Sequence, residues 1–211
     1  MPREKPEDQK KLEAEMDKAQ IEQMRQLAAG GVGQAPSEKE DDPNELRQLA
    51  ERLVNDDAAL VISELVAHSK SDQLRRSAAQ ILQAMAEVPE SRGKLVQQGG
   101  FKAMLQLTVV DDEVTKTAAA WALAKVGISI NPALYPQRTG SGPESMVGPI
   151  IRLIDNADNE LMMFEGSMAL CNLATVPELR DKIVALHGWR ILSMALTSHN
   201  TMVQRAALEC M

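Results

Sequence analysis

The chain has 211 residues, 44% of them hydrophobic but only 2% aromatic, and a net charge of −7. So few aromatics argue against an all-β fold, whereas the abundant Ala, Leu, Met, Gln and Glu are helix formers. No apolar run approaches the ~18 residues of a membrane span, no secretory leader opens the chain, the acidity disfavours nucleic acid or a membrane surface as partner, and two cysteines make no disulfide framework, so a cytoplasmic protein is expected.

The charge is uneven: residues 1–45 carry −5 of it and the remainder −2. The division expected is a charged leading helix and flexible linker over residues 1–42, then a nearly neutral repeat domain over 43–211. From Glu7 to Ala29 helix propensity is high, but Leu12, Met16, Ala19, Met24 and Leu27 are loosely spaced, which predicts an exposed or weakly docked helix. Gly30, Gly31 and Gly33 end it, and GGVGQAPSEKEDD reads as a linker. It is not a phosphate loop, since no strand precedes it and no Lys-Ser/Thr follows. Asp42-Pro43-Asn44-Glu45 is a helix start, with Asp42 as cap, Pro43 where a missing N–H does no harm, and Glu45 closing a capping box. Amphipathic stretches then follow one another with polar or Pro/Gly breaks, and none alternates with period two.

The strongest signal is repetition. LQAMAEVPESRGKLVQQGGF from Leu82 matches LCNLATVPELRDKIVALHGW from Leu170 at an offset of 88, including Val88/Val176, Pro89/Pro177, Arg92/Arg180 and Gly100/Gly188. Intermediate and final copies place an anchor at Leu82, Leu123, Leu170 and Met211, at spacings of 41, 47 and 41 residues. Four residues before each anchor stands a small residue: Ala78, Ala119, Gly166 and Ala207. Small beside large, one turn apart, lets helices approach closely. A period of ~40 residues with helical phasing is the mark of an α-solenoid of the armadillo or HEAT kind.

One repeat is legible in full. Pro177–Leu186 is a first helix, Gly188 makes a sharp corner, Trp189–Leu196 is a second helix, and a third starts near Thr201. Three helices with a glycine corner is the armadillo variant, so the fold expected is all-α, a right-handed superhelix of about four three-helix repeats, the last incomplete. In one copy ISINPALYPQRTGSGPES replaces the first helix, which accounts for the 47-residue interval and predicts a loop on one rim.

Candidate chemistry is sparse. His68, His187 and His199 fall on different elements without partners at ligand spacing, so no metal or cofactor is expected. Cys171 and Cys210 read as small hydrophobes on core faces. Asp41-Asp42, Asp56-Asp57 and Asp111-Asp112 sit at helix starts, where capping and the helix dipole favour them. The reading is of a binding protein, not an enzyme, working through the concave groove lined by third helices. Armadillo proteins that bind basic localisation peptides offer on each third helix a Trp and, four residues on, an Asn. Here the Trp position holds Gln80, Trp121, Met168 and Glu209, and the Asn position Ala84, Lys125 and Asn172. No repeat has both, which disfavours that cargo without excluding another extended segment. Trp121 reads equally as packing or groove contact. Asn172 reads as a groove contact or a brace on neighbouring backbone, Met163 and Met168 as core filler ahead of recognition surface, and Phe164 beside Glu165 as a binding rim.

KTAAAWALAKVGISINPALYPQR, from Lys116 to Arg138, resembles the UCS-domain proteins, the armadillo-repeat chaperones of myosin. MVGPIIRLID and FEGSMALCNLATVPELRDKIV extend the resemblance, which runs over about Asp72 to Met211 and is most specific between Lys116 and Ile183. Ile128-Ser129-Ile130-Asn131-Pro132 directly after the Trp helix raises it above a generic armadillo pattern. The resemblance implies a chaperone that holds a partly folded myosin heavy-chain motor segment in the groove, with Trp121, Lys125, Asn131, Phe164, Glu165, Met168 and Asn172 as contacts. Animal members also begin with tetratricopeptide repeats that hold a heat-shock chaperone. Residues 1–70 lack that 34-residue pattern, so this partner is not carried over. Because the family's region is about twice as long as the matching part, the chain reads as a fragment of a longer repeat protein. The alternatives are a generic armadillo scaffold using residues 7–29 as a second binding helix, or a regulatory subunit.

Overall fold

The computed structural model describes residues 18, 20–24, 42–135 and 142–211, and among them all regular structure is helical. The first repeat is α1 (Pro43–Asn55), α2 (Ala58–His68) and α3 (Asp72–Ala86). The second opens with a 3-10 turn, Pro89–Ser91, and continues through α4 (Arg92–Gln97), α5 (Gly100–Leu107) and α6 (Glu113–Ser129). The third has a 3-10 turn, Pro132–Leu134, where a first helix would stand, then α7 (Glu144–Asp155) and α8 (Glu160–Leu173). The fourth is α9 (Pro177–Ala185), α10 (Gly188–Ala195) and α11 (Thr201–Cys210). The third helices α3, α6, α8 and α11 pack side by side in chain order, which makes one continuous wall.

The repeat register explains that wall. Leu82, Leu123 and Leu170 are each 0% exposed, and the small residues Ala78, Ala119 and Ala207 are buried beside them. At Gly166 the contact is closest: a Cβ there would stand 2.5 Å from Ile154 Cγ1 of α7. The fourth anchor differs. Met211 is 63% exposed.

Helix ends follow side-chain chemistry. Ser71, Asp112, Asn159 and Asn200 each accept a hydrogen bond from a backbone N–H in the first turn of the third helix that follows. Asp42 caps α1 as expected, through the Asn44 amide at 2.9 Å. Asp57 does not cap α2; its φ is 56° and its Oδ1 accepts from Gln98 Nε2 at 2.7 Å instead.

Two further expectations are corrected. The corner before α10 turns at His187, whose φ is 59°. Gly188 is needed for closeness, since a Cβ would meet Ile183 Cγ2 at 2.6 Å. In the second repeat Gly99 takes the left-handed position at φ 88°, with Gly100 pressed against Leu95. The segment after α6 is also more than a rim loop. Pro132 is buried, and Tyr135 turns inward to pack on Phe101 with ring centroids 4.8 Å apart. Of the leading helix, only residues 18 and 20–24 are described, and the linker lies outside the described residues.

Candidate protein-binding groove

Trp121 and Lys125 stand one turn apart on α6 and face the neighbouring third helices. The Trp121 Nε1–H donates to Glu165 Oε2 of α8 at 2.5 Å. Lys125 Nζ donates to the same oxygen at 2.7 Å. It also pairs with Glu87 Oε1, just past the end of α3, at 2.9 Å, and lies 4.7 Å from the Trp121 ring centroid. One ammonium thus ties three consecutive third helices together. Lys125 is 0% exposed and Glu165 only 3%, so neither charge is hydrated. Such a pair persists because each charge finds partners of opposite sign and further hydrogen bonds. Lys125, expected as a groove contact, is therefore internal to the wall, where its role is to fix the Trp121 ring and the spacing of α6 and α8.

Asn172 braces. Its Nδ2 donates to Gly127 O at 2.7 Å and to Ile130 O at 2.9 Å, satisfying carbonyls that the end of α6 leaves unpaired. Both amide hydrogens are spent, so in this conformation Asn172 is not free to clamp a bound backbone. It holds the start of the segment that carries Asn131, itself exposed, with Oδ1 accepting from the Ala133 amide at 2.9 Å. Phe164 is corrected more firmly: at 8% exposure it packs in the core, and with Glu165 buried beside it no binding rim forms there. Trp121, Met163 and Met168 are half-buried and packed against the core, which leaves part of each side chain to the surface.

Glu87 is the member that sequence reasoning missed. The signal that finds it is charge pairing at the repeat period: Lys125 lies 40 residues before Glu165 and 38 after Glu87. The same rule finds Arg76 and Asp112, 36 residues apart, whose side chains pair at 2.6 Å across the starts of α3 and α6. The Arg76 guanidinium, with help from the Thr115 hydroxyl, holds the Asp112 carboxyl well below the usual carboxylate range. Burial pushes the Cys210 thiol up to about 12, which makes it a poor nucleophile.

Among the described residues no three His, Cys, Asp or Glu side chains converge where they could hold a metal ion. Two open clefts of about 470 and 420 Å³ lie beside the starts of the third helices, and neither is lined by Trp121, Lys125 or Glu165. No helix among the described residues is long and apolar enough to cross a membrane. The arrangement offers a non-covalent surface: a fixed indole and methionines on a rigid wall.

No protein-family model matches the chain. It is 30% identical to human Protein unc-45 homolog B over 90% of its length, and 29% identical over the same share to the Xenopus laevis protein of that name. The chain spans about a fifth of the length of these relatives, 21% in each case. Among solved structures, UNC-45 from Drosophila melanogaster matches with a TM-score of 0.74 and 28% identity, over 85% of this chain and 23% of that one. A structure described as "Molecular features of the UNC-45 chaperone critical for binding and folding muscle myosin" matches with a TM-score of 0.71 and 22% identity, over 83% and 20%. Computationally designed armadillo repeat proteins for modular peptide recognition share the fold, with a TM-score of 0.60 and 19% identity over 79% and 71%. The resemblance to the UCS-domain family read over about Asp72 to Met211 thus extends, in these relatives, over nine-tenths of the chain.

Proposed function

We propose that the solenoid groove binds a partly folded segment of a myosin motor domain and assists its folding or assembly without covalent chemistry. The observation that carries this reading is the similarity to UNC-45 from Drosophila melanogaster over 85% of this chain, at a TM-score of 0.74. The fixed Trp121 ring fits it, since a half-exposed indole held by a buried ion pair gives an apolar client a preorganised contact. In this reading Trp121 and Met168 touch the client directly, Asn131 flanks them, and Lys125, Glu165 and Asn172 hold the surface in shape. The armadillo domain is residues 43–211, preceded by residues 1–42, and it works in the cytoplasm, a setting that suits two free thiols.

The test is suppression of aggregation of an unfolding myosin motor domain by the purified chain. Wild type should keep the motor in solution, and Trp121→Ala with Met168→Ala should lose most of that effect while still melting cooperatively. If wild type leaves aggregation unchanged, the reading fails. The shared armadillo fold also supports a scaffold reading, in which residues 7–29 engage a second protein. Deleting residues 1–40 separates the two, because a groove-only chaperone keeps its client.

A further inference from the structure

We propose that the rim formed by the N-terminal ends of α8 and α11 is a docking site for a short amphipathic helix, and that residues 21–24 of this chain fill it in cis. Met24 is only 5% exposed and counts among the core residues, although it lies outside the repeats. Ile21, three residues earlier on the same helical face, packs against that core, while Lys18, Gln20, Glu22 and Gln23 point to solvent. The spacing is that of helix-in-groove recognition, with apolar anchors at i and i+3. The receiving side is equally specific. Asn200 spends its Oδ1 on the Met202 amide at 2.9 Å as the cap of α11. Its Nδ2 donates to Glu160 Oε2 on the first turn of α8 at 2.8 Å and to Met24 Sδ at 3.0 Å. A single side chain therefore joins α8, α11 and the docked segment.

The connection is sterically feasible. The 18 residues from Met24 to Asp42 reach ~60 Å when extended, against ~30 Å for three helix spacings of ~10 Å across the wall. The rim includes the start of α8, the third helix that carries Trp121's partner Glu165, so a long client laid along the wall would meet the docked segment and have to displace it. The docking itself does not depend on the client being a myosin.

The test uses the full chain. A fluorescein-labelled synthetic peptide spanning residues 7–29 is titrated into wild type and into a variant carrying Ile21→Glu and Met24→Glu, with fluorescence anisotropy as readout. Charging both anchors vacates the site, so the peptide should bind the variant at least about tenfold tighter than wild type, the scale of losing an apolar competitor anchor. Met24→Leu, which keeps an apolar anchor of similar size, should behave as wild type. A peptide carrying the same two Glu substitutions should bind neither protein. Equal affinity for wild type and the charged variant, or binding to neither, overturns the proposal, with thermal melting showing that the variant solenoid is folded.

Discussion

The second and fourth repeats share Val, Pro, Arg and Gly at an offset of 88 and finish in opposite states. Phe101 is 1% exposed beneath Tyr135, whereas Trp189, its counterpart, is 52% exposed. Arg92 is 4% exposed, donating to Ala86 O at 2.7 Å and Ser129 Oγ at 2.5 Å, while Arg180 lies in solvent. Both partners that make the difference, Ser129 and Tyr135, belong to the end of α6 and the segment after it. Burial in a solenoid is therefore a property of the neighbour: a repeat closes its outer face only when the following chain folds across it.

The comparison is broken most directly by truncating the two counterparts. Phe101→Ala should cost about 3–5 kcal/mol, as for other buried aromatics, and Trp189→Ala under about 1 kcal/mol, read from denaturant midpoints. Equal costs would mean that Trp189 is covered in solution. A second contrast sets an interior charge against one at the end. Lys125→Ala strands Glu165 inside the wall and should cost about 3 kcal/mol. Arg205→Ala, which removes an exposed pair with Glu209 at 3.0 Å, should cost within about 0.5 kcal/mol. Adding Glu165→Gln to Lys125→Ala should recover part of the loss, and if it adds to it the pair is not coupled. Gly166→Ala drives a methyl into Ile154 and should cost about 1–3 kcal/mol, whereas a glycine kept only for backbone freedom would gain from the change.

The smallest effect is a pH shift. Asp112 is held low in the fold, so its contribution is present above the unfolded carboxylate value of ~3.9 and is lost as pH falls through the lower folded value. Arg76→Ala removes the largest cause of that depression. The variant should then be somewhat less stable than wild type at neutral pH and begin acid unfolding at a higher pH, with the difference between the two shrinking as pH falls below ~3.9. An acid midpoint that does not move would exclude the pair from acid stability.

Much of the solenoid was readable because its determinants are local or periodic. The anchors Leu82, Leu123 and Leu170 and the small residues beside them mark a wall whose only variable is period. Proline starts and polar caps mark where helices begin. What was not readable depends on contacts between repeats. Lys125 sits where a peptide-binding armadillo offers its Asn, and one sequence does not say whether an ammonium there faces a ligand or a neighbouring helix. The answer lies in Glu87 and Glu165, nearly a repeat away on either side. Asn172 is similar: an Asn that clamps a ligand and one that clamps the end of α6 have identical local sequence. Phe164 beside Glu165 reads as a rim because a charge next to an aromatic suggests exposure, but the carboxylate is buried with its ion pair and the ring packs separately into the core. At the corner before α10, Gly188 drew attention to itself and away from His187, which carries the unusual torsion.

Only two tryptophans are present in the chain, one pinned beneath a carboxylate in the wall and one bathed in water at the far end. Their emission should differ in colour and in susceptibility to a collisional quencher such as acrylamide. The molecule therefore carries a built-in optical pair, in which a ligand seated on the wall dims or shields one indole and a neighbour stacked on the end shields the other.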